Sequence, residues 1–160
     1  METKLITISI LEDDLFYAEY LKQGLKSIHY PFVTNFYTRD QFFKSYKKDQ
    51  SDLILLDYKL HNTNGLVVID EIKKIDKRAN VVFISGQKKP EIALKALKKG
   101  AMDYLEKNQE VFKNLKKIIL KVRIEKKIIS DKLIFQRKLK WMLAFAISVI
   151  TLILFMYKIH

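Results

Sequence analysis

The chain has 160 residues, of which 49% are apolar, and it contains no cysteine and only three histidines. This length allows one domain of ordinary size with a modest appendage, and the composition excludes two full enzyme domains, a disulfide framework and a zinc site built from thiolates. The net charge of +12 is unevenly placed, because residues 113–140 contain eleven Lys and Arg against two acidic residues. We therefore expect a nearly neutral globular domain before this segment, and nucleic acid is not an expected partner.

Short apolar segments alternate with longer amphipathic ones between Lys4 and Lys107, which is typical of an α/β domain. Helical patterns lie between the apolar segments and again after the last one. Most of the apolar segments are too continuously apolar for a half-exposed sheet, so we predict a doubly wound, five-stranded parallel sheet covered on both faces. The predicted strands are Leu5–Ile10, Phe32–Tyr37, Leu53–Asp57, Val81–Ser85 and Met102–Glu106.

A strongly apolar segment follows the basic one. Residues 141–157 carry no charge, with Trp141 and Tyr157 at their two ends. We predict a domain at 1–110, a basic extended helix at 111–140 and one transmembrane helix at 141–159. By the positive-inside rule, the domain is expected on the cytoplasmic side of the cell membrane. The alternative is a buried helix of a soluble core, which would need a more polar face than Ser148 and Thr151 provide.

Polar side chains are predicted at the carboxyl ends of four strands, where parallel α/β sheets bind their ligands. Several of these side chains are carboxylates, which repel one another at short range unless a cation lies between them. A group of three or more carboxylate oxygens suits Mg²⁺. One carboxylate would then act as a nucleophile and form an acyl phosphate, while the hydroxyl and the ammonium bind phosphoryl oxygens. The residues are Glu12, Asp13 and Asp14, then Asp57, Ser85 and Lys107.

Four sequence motifs resemble those of the receiver domains of two-component response regulators. They are ILEDD, DLILLDYKLHNTNG, VVFISG and GAMDYLEK, and the resemblance runs from about Lys4 to Lys107. Each motif alone is a weak signal, but their order and their strand context make the combination specific. The resemblance implies a CheY-like, flavodoxin-like fold and a protein that a histidine kinase or a phosphotransfer protein phosphorylates on an aspartate.

The resemblance also implies roles for individual residues. The protein would be a signalling switch and not an enzyme, in which a phosphorylated aspartate changes the contacts that the domain makes. The implied roles are Asp57 as phosphoacceptor, Lys107 as the phosphate-pairing lysine, Ser85 as the switch hydroxyl, Tyr104 as the aromatic that turns inward, and Glu12, Asp13, Asp57 and the main-chain carbonyl of Lys59 as Mg²⁺ ligands.

Two positions depart from the receiver pattern. Asn108 follows Lys107 where a proline with a cis bond is common, and a cis bond before any other residue costs about 2.5 to 4 kcal/mol. The sequence does not decide between the two forms, and a trans bond would reposition Lys107. His61 also replaces a common proline in the loop after Asp57.

These observations together predict a membrane-anchored receiver without a DNA-binding output domain. The segment 111–140 would contact anionic membrane lipid, and its apolar positions also allow a homodimer. One alternative is a degenerate receiver that acts as a membrane-tethered scaffold without phosphorylation. A second is a phosphatase-like or phosphotransfer enzyme that uses the same aspartate and Mg²⁺, although no added cap domain or second catalytic motif supports it.

Overall fold

A computed structural model describes residues 5–87 and 89–159, and of Ile159 it describes only the backbone. Residues 1–4, which include Lys4 at the predicted start of the receiver resemblance, lie outside the described residues. The chain divides into two units, one ending at Arg123 and the other beginning at Ile124. The first unit therefore continues beyond the predicted domain boundary at residue 110.

The first unit is built on a five-stranded parallel sheet. Its strands are β1 (Ile8–Leu11), β2 (Val33–Phe36), β3 (Leu53–Asp57), β6 (Val81–Ser85) and β7 (Asp103–Glu106). Their order across the sheet is β2-β1-β3-β6-β7, and every neighbouring pair is parallel. The three central strands are buried at every residue, as the continuously apolar segments predict.

Helices cover both faces of this sheet and confirm the predicted fold class. They are α1 (Leu15–Ser27), α2 (Arg39–Tyr46), α3 (Gly65–Ile75), α4 (Pro90–Lys98) and α5 (Val111–Ile159). One apolar layer joins α1 and the start of α5 to the sheet, and the other joins α2, α3 and α4 to it. The side chains of Asp14, Thr38 and Asn64 cap α1, α2 and α3 by accepting hydrogen bonds from backbone N–H groups in the first turn.

The first turns of α5 belong to the core of the first unit. Leu115, Ile119 and Val122 are buried, and Phe112 packs against the same cluster. In the second unit, the helix has the length and apolar composition needed to cross a membrane, and none of its most apolar 18-residue window is buried.

Two local features differ from the predictions. The first strand begins at Ile8 and not at Leu5, and Thr7, directly before it, donates its backbone N–H and its hydroxyl to the Asp52 carboxylate. A two-stranded antiparallel hairpin, β4 (Lys59–Leu60) and β5 (Thr63–Asn64), also follows β3 and was not predicted. The hairpin brings the start of α3 back beside the end of β3, where Gly65 donates its N–H to the Tyr58 carbonyl at 2.8 Å.

Candidate functional site

The carboxyl edge of the sheet assembles side chains from four strands. Glu12 directly follows β1, Asp57 ends β3, Ser85 ends β6 and Lys107 directly follows β7. The chain leaves β1 toward β2 on one side and returns to β3 on the other, so β1 and β3 form the switch point in strand order at which open α/β sheets bind ligands.

Three carboxylates converge at this switch point. Glu12, Asp13 and Asp57 each offer an oxygen, and these oxygens lie within 4.8 Å of one another. Glu12 and Asp57 are only 2% and 5% exposed, whereas Asp13 is half-buried. The predicted convergence of the acidic residues is confirmed, although Asp14 is directed to the cap of α1.

Lys107 supplies the neighbouring positive charge. Its Nζ lies 2.6 Å from Glu12 Oε2 and 3.1 Å from Asp57 Oδ1. No peptide bond among the described residues is cis, so the bond between Lys107 and Asn108 is trans. The lysine nevertheless reaches both carboxylates, and its backbone N–H donates to the Ser85 carbonyl at 2.9 Å.

Burial and mutual repulsion perturb the two buried carboxyl groups. The pKa of Glu12 is raised to about 7, because burial and the charge of Asp57 raise it by more than the hydrogen bond and charge of Lys107 lower it. Burial likewise raises the pKa of Asp57, against the charge and hydrogen bond of Lys107. Burial acts to lower the pKa of Lys107, but its bonds and charge interactions with Glu12 and Asp57 outweigh this and raise it. One lysine therefore does not fully offset the crowded negative charge.

This donor set fits a hard divalent cation. Its ligands are all carboxylate oxygens, and their raised pKa values indicate that additional positive charge would stabilise the ionised forms. Mg²⁺ prefers such oxygens and retains several waters, so it does not require a complete cage of protein ligands. Lys59, whose main-chain carbonyl is the fourth predicted ligand, donates its backbone N–H to Asp57 Oδ2 at 3.0 Å. The predicted role of its carbonyl as a metal ligand stays a prediction.

The two predicted switch residues meet at one loop residue. Ser85 is 2% exposed, and its hydroxyl accepts a hydrogen bond from the Gln87 N–H at 3.1 Å. Tyr104 is half-buried, donates its hydroxyl to the Gln87 carbonyl at 2.9 Å and stacks on Phe83. Gln87 thus links the end of β6 to the aromatic side chain on β7. The switching roles of Ser85 and Tyr104 stay predictions.

Sequence reasoning missed Tyr17 as part of this site. Its ring lies 4.4 Å from the Lys107 Nζ, measured to the ring centroid. The sequence analysis assigned Tyr17 no role. Its position in the first turn of α1, directly after the carboxyl end of β1, is the signal that would have placed it near this edge.

Comparisons with known proteins agree with this architecture. The sequence profile of the response regulator receiver domain matches residues 8–119. The chain is 26% identical over 100 residues to the chemotaxis protein CheY of Bacillus subtilis, covering 62% of this chain and 83% of CheY. It is 29% identical over 107 residues to the response regulator protein TodT of Pseudomonas putida, covering 67% of this chain and 47% of TodT. The chain therefore spans about half the length of TodT.

A solved structure shares the fold. It is described as the CheX–CheY–BeF3–Mg²⁺ complex from Borrelia burgdorferi, and its TM-score is 0.65 at 23% sequence identity. The match covers 71% of this chain and 87% of the other. In that complex, a protein of this fold is accompanied by Mg²⁺, a beryllofluoride group and a second protein.

Proposed function

Because the chain belongs to the response regulator receiver family, we propose that it is a phosphorylation-dependent switch whose phosphoacceptor is Asp57. The phosphoryl donor would be a histidine kinase or a histidine-containing phosphotransfer protein. The observation that carries this proposal is the cluster in which Asp57 shares Lys107 with Glu12 at hydrogen-bonding distances.

The residues of the cluster have distinct parts in the proposed transfer. One Asp57 carboxylate oxygen attacks the phosphorus, an O–P bond forms, and the N–P bond of the donor breaks with its electron pair returning to the imidazole nitrogen. The Lys107 ammonium, beside Asp57 Oδ1, offsets the charge of the phosphoryl oxygens. The backbone N–H of Lys59 holds the other Asp57 oxygen and so fixes the orientation of the carboxylate.

Glu12, Asp13, Asp57 and the main-chain carbonyl of Lys59 would hold Mg²⁺. When bound, the ion offsets the crowded carboxylate charge and the charge of the transferred phosphoryl group. Bound Mg²⁺ would thereby neutralise the part of the carboxylate charge that Lys107 alone does not offset.

Ser85 and Tyr104 would transmit the chemical change. A phosphoryl group on Asp57 would draw the Ser85 hydroxyl toward its oxygens. The hydrogen bond that this hydroxyl accepts from the Gln87 N–H would then break. Because Tyr104 bonds to the carbonyl of the same Gln87, the ring and the loop after β6 respond together. The proposed output is a change of protein contacts, so the chain acts as a switch and not as an enzyme.

The second unit supports a proposal about location. We propose a single-pass anchor in the cell membrane, formed by residues 141–159, with the receiver on the cytoplasmic side. Its support is the exposed apolar stretch and the excess of Lys and Arg in residues 113–140. The basic segment would contact anionic lipid headgroups, and residues 111–140 would be the site of any homodimer. No contact with nucleic acid is proposed.

Phosphoryl transfer tests this function directly. The full-length chain in detergent is incubated with Mg²⁺ and a radiolabelled phosphohistidine donor, alongside Asp57→Asn and the control Asp14→Asn. We expect label on the wild type and on Asp14→Asn, whose asparagine retains the ability to cap α1. We expect none on Asp57→Asn. Label on Asp57→Asn would identify another acceptor, and an unlabelled wild type would favour the scaffold without phosphorylation.

A further inference from the structure

The Lys107 ammonium has three neighbours in the site, of which two are carboxylates. It contacts Glu12 Oε2, Asp57 Oδ1 and the face of the Tyr17 ring. Its side chain is 20% exposed, so water still reaches part of it. A lysine has a flexible four-carbon stem and can lose a fixed position at little cost unless several neighbours hold it. The aromatic ring is the neighbour that carries no charge.

From this contact we propose that Tyr17 is a positioning residue that holds the Lys107 ammonium beside Asp57 through a cation–π interaction. The inference rests on the proposed function, because the lysine must be in place when Asp57 receives the phosphoryl group. A centroid distance of 4.4 Å is well within the range of about 6 Å over which a ring attracts an ammonium.

The ring is fixed in place by its own helix and by neighbouring aromatic side chains. The Tyr17 N–H is bound by the capping carboxylate of Asp14 at 3.1 Å, which anchors the first turn of α1. The ring of Tyr20 lies 5.7 Å from that of Tyr17 and 5.2 Å from that of Phe112. Phe112 fits there because Gly24 has no side chain, and a Cβ at that position would overlap the Phe112 ring. The cation–π partner is thus supported by a row of packed rings.

The hydroxyl of Tyr17 is not needed for this role. Its oxygen is buried and has no hydrogen-bond partner among the described residues. Burial raises the pKa of Tyr17, and the nearby charges of Glu12 and Asp57 raise it further, so the phenol stays neutral at physiological pH. A neutral ring face attracts the ammonium, whereas the hydroxyl makes no contact that would do so. Phenylalanine should therefore replace tyrosine, and leucine should not.

The test uses beryllofluoride with Mg²⁺ as the phosphoryl probe and the full-length chain in detergent. The proteins are the wild type, Tyr17→Phe, Tyr17→Leu, Lys107→Met and the double variant Tyr17→Leu/Lys107→Met. We expect Tyr17→Leu to weaken binding by about fivefold to thirtyfold and Tyr17→Phe to retain nearly wild-type binding. In the Lys107→Met background, Tyr17→Leu should have no further effect, because the ring acts through the lysine.

A second readout requires neither metal nor phosphoryl mimic. The proton resonances of the Lys107 ε-methylene should be displaced by the ring in the metal-free wild type and in Tyr17→Phe, and this displacement should be lost in Tyr17→Leu. Equal beryllofluoride affinity of Tyr17→Leu and the wild type would overturn the inference. It would also be overturned if Tyr17→Leu weakened beryllofluoride binding equally in the presence of Lys107 and in the Lys107→Met variant. If the wild type itself bound no beryllofluoride, the proposed function would fail, and this inference with it.

Discussion

Glu12 should make Mg²⁺ binding sensitive to pH near neutrality. Its pKa is about 7 in the metal-free protein, because burial and the charge of Asp57 raise it by more than Lys107 lowers it. A metal ion must displace the proton that the carboxyl group holds below this pH. With a pKa of about 7, proton competition weakens the apparent affinity about 11-fold at pH 6 and about 1.1-fold at pH 8. We therefore expect binding about tenfold weaker at pH 6 than at pH 8.

Isothermal titration calorimetry of Mg²⁺ into the full-length chain measures both the affinity and the released protons. Repeating the titration in two buffers of different protonation enthalpy should reveal about 0.9 proton released per ion at pH 6 and about 0.1 at pH 8 from Glu12. The pKa of Asp57 is raised as well, so its contribution has the same sign. The matched variant is Glu12→Gln, which removes the titrating group while keeping its size.

The result that would refute this reasoning is an affinity that is equal at the two pH values. A tenfold change that persists unaltered in Glu12→Gln would also refute it, because the titrating group would then be a different one.

Three further predictions follow from the same structure. Gly24→Ala should destabilise the folded state by about 1 to 3 kcal/mol, because the added methyl group overlaps the Phe112 ring; chemical denaturation should show no comparable loss for Gly86→Ala, whose added Cβ would meet no atom within 4 Å. The metal-free chain should lose stability as pH rises from about 4.5 to about 7, because the folded state retains the Glu12 proton that the unfolded state releases. Thermal unfolding should show a smaller loss for Glu12→Gln, and identical pH profiles of the two proteins would show that Glu12 is not the titrating group. Truncation after Ser130 should release the protein into the soluble fraction after ultracentrifugation, and a truncated chain that still pellets with membranes would show that residues 141–159 are not the anchor.

The sheet and its acidic edge could be predicted because both follow from simple rules. Continuous apolar segments predicted the buried strands, and β3 and β6 have the bounds expected for them. Parallel strands bring their carboxyl ends to one edge, so the sequence alone predicts that Glu12, Asp57 and Lys107 lie together.

The remaining details depend on contacts between distant residues, which a local pattern does not contain. The predicted start of β1 was wrong, and Thr7, just before the strand, bonds to Asp52, which lies 45 residues later in the chain. The hairpin after β3 has two residues in each strand, too few to give an alternating pattern. The contact between Tyr17 and Lys107 depends on how two side chains extend over the sheet edge, and neither helical periodicity nor motif spacing reports this.

The separation of Glu12 and Lys107 along the chain has a consequence for biosynthesis. Their side chains meet although they are 95 positions apart in the sequence, and the strand before Lys107 is the last strand of the sheet in chain order. A ribosome-bound chain that has emerged only as far as β6 has the acidic residues without the lysine that partly neutralises them. The chain should therefore become able to accept a phosphoryl group only after Lys107 has been synthesised. A partly synthesised chain would then not take phosphoryl groups from the donor in place of complete molecules.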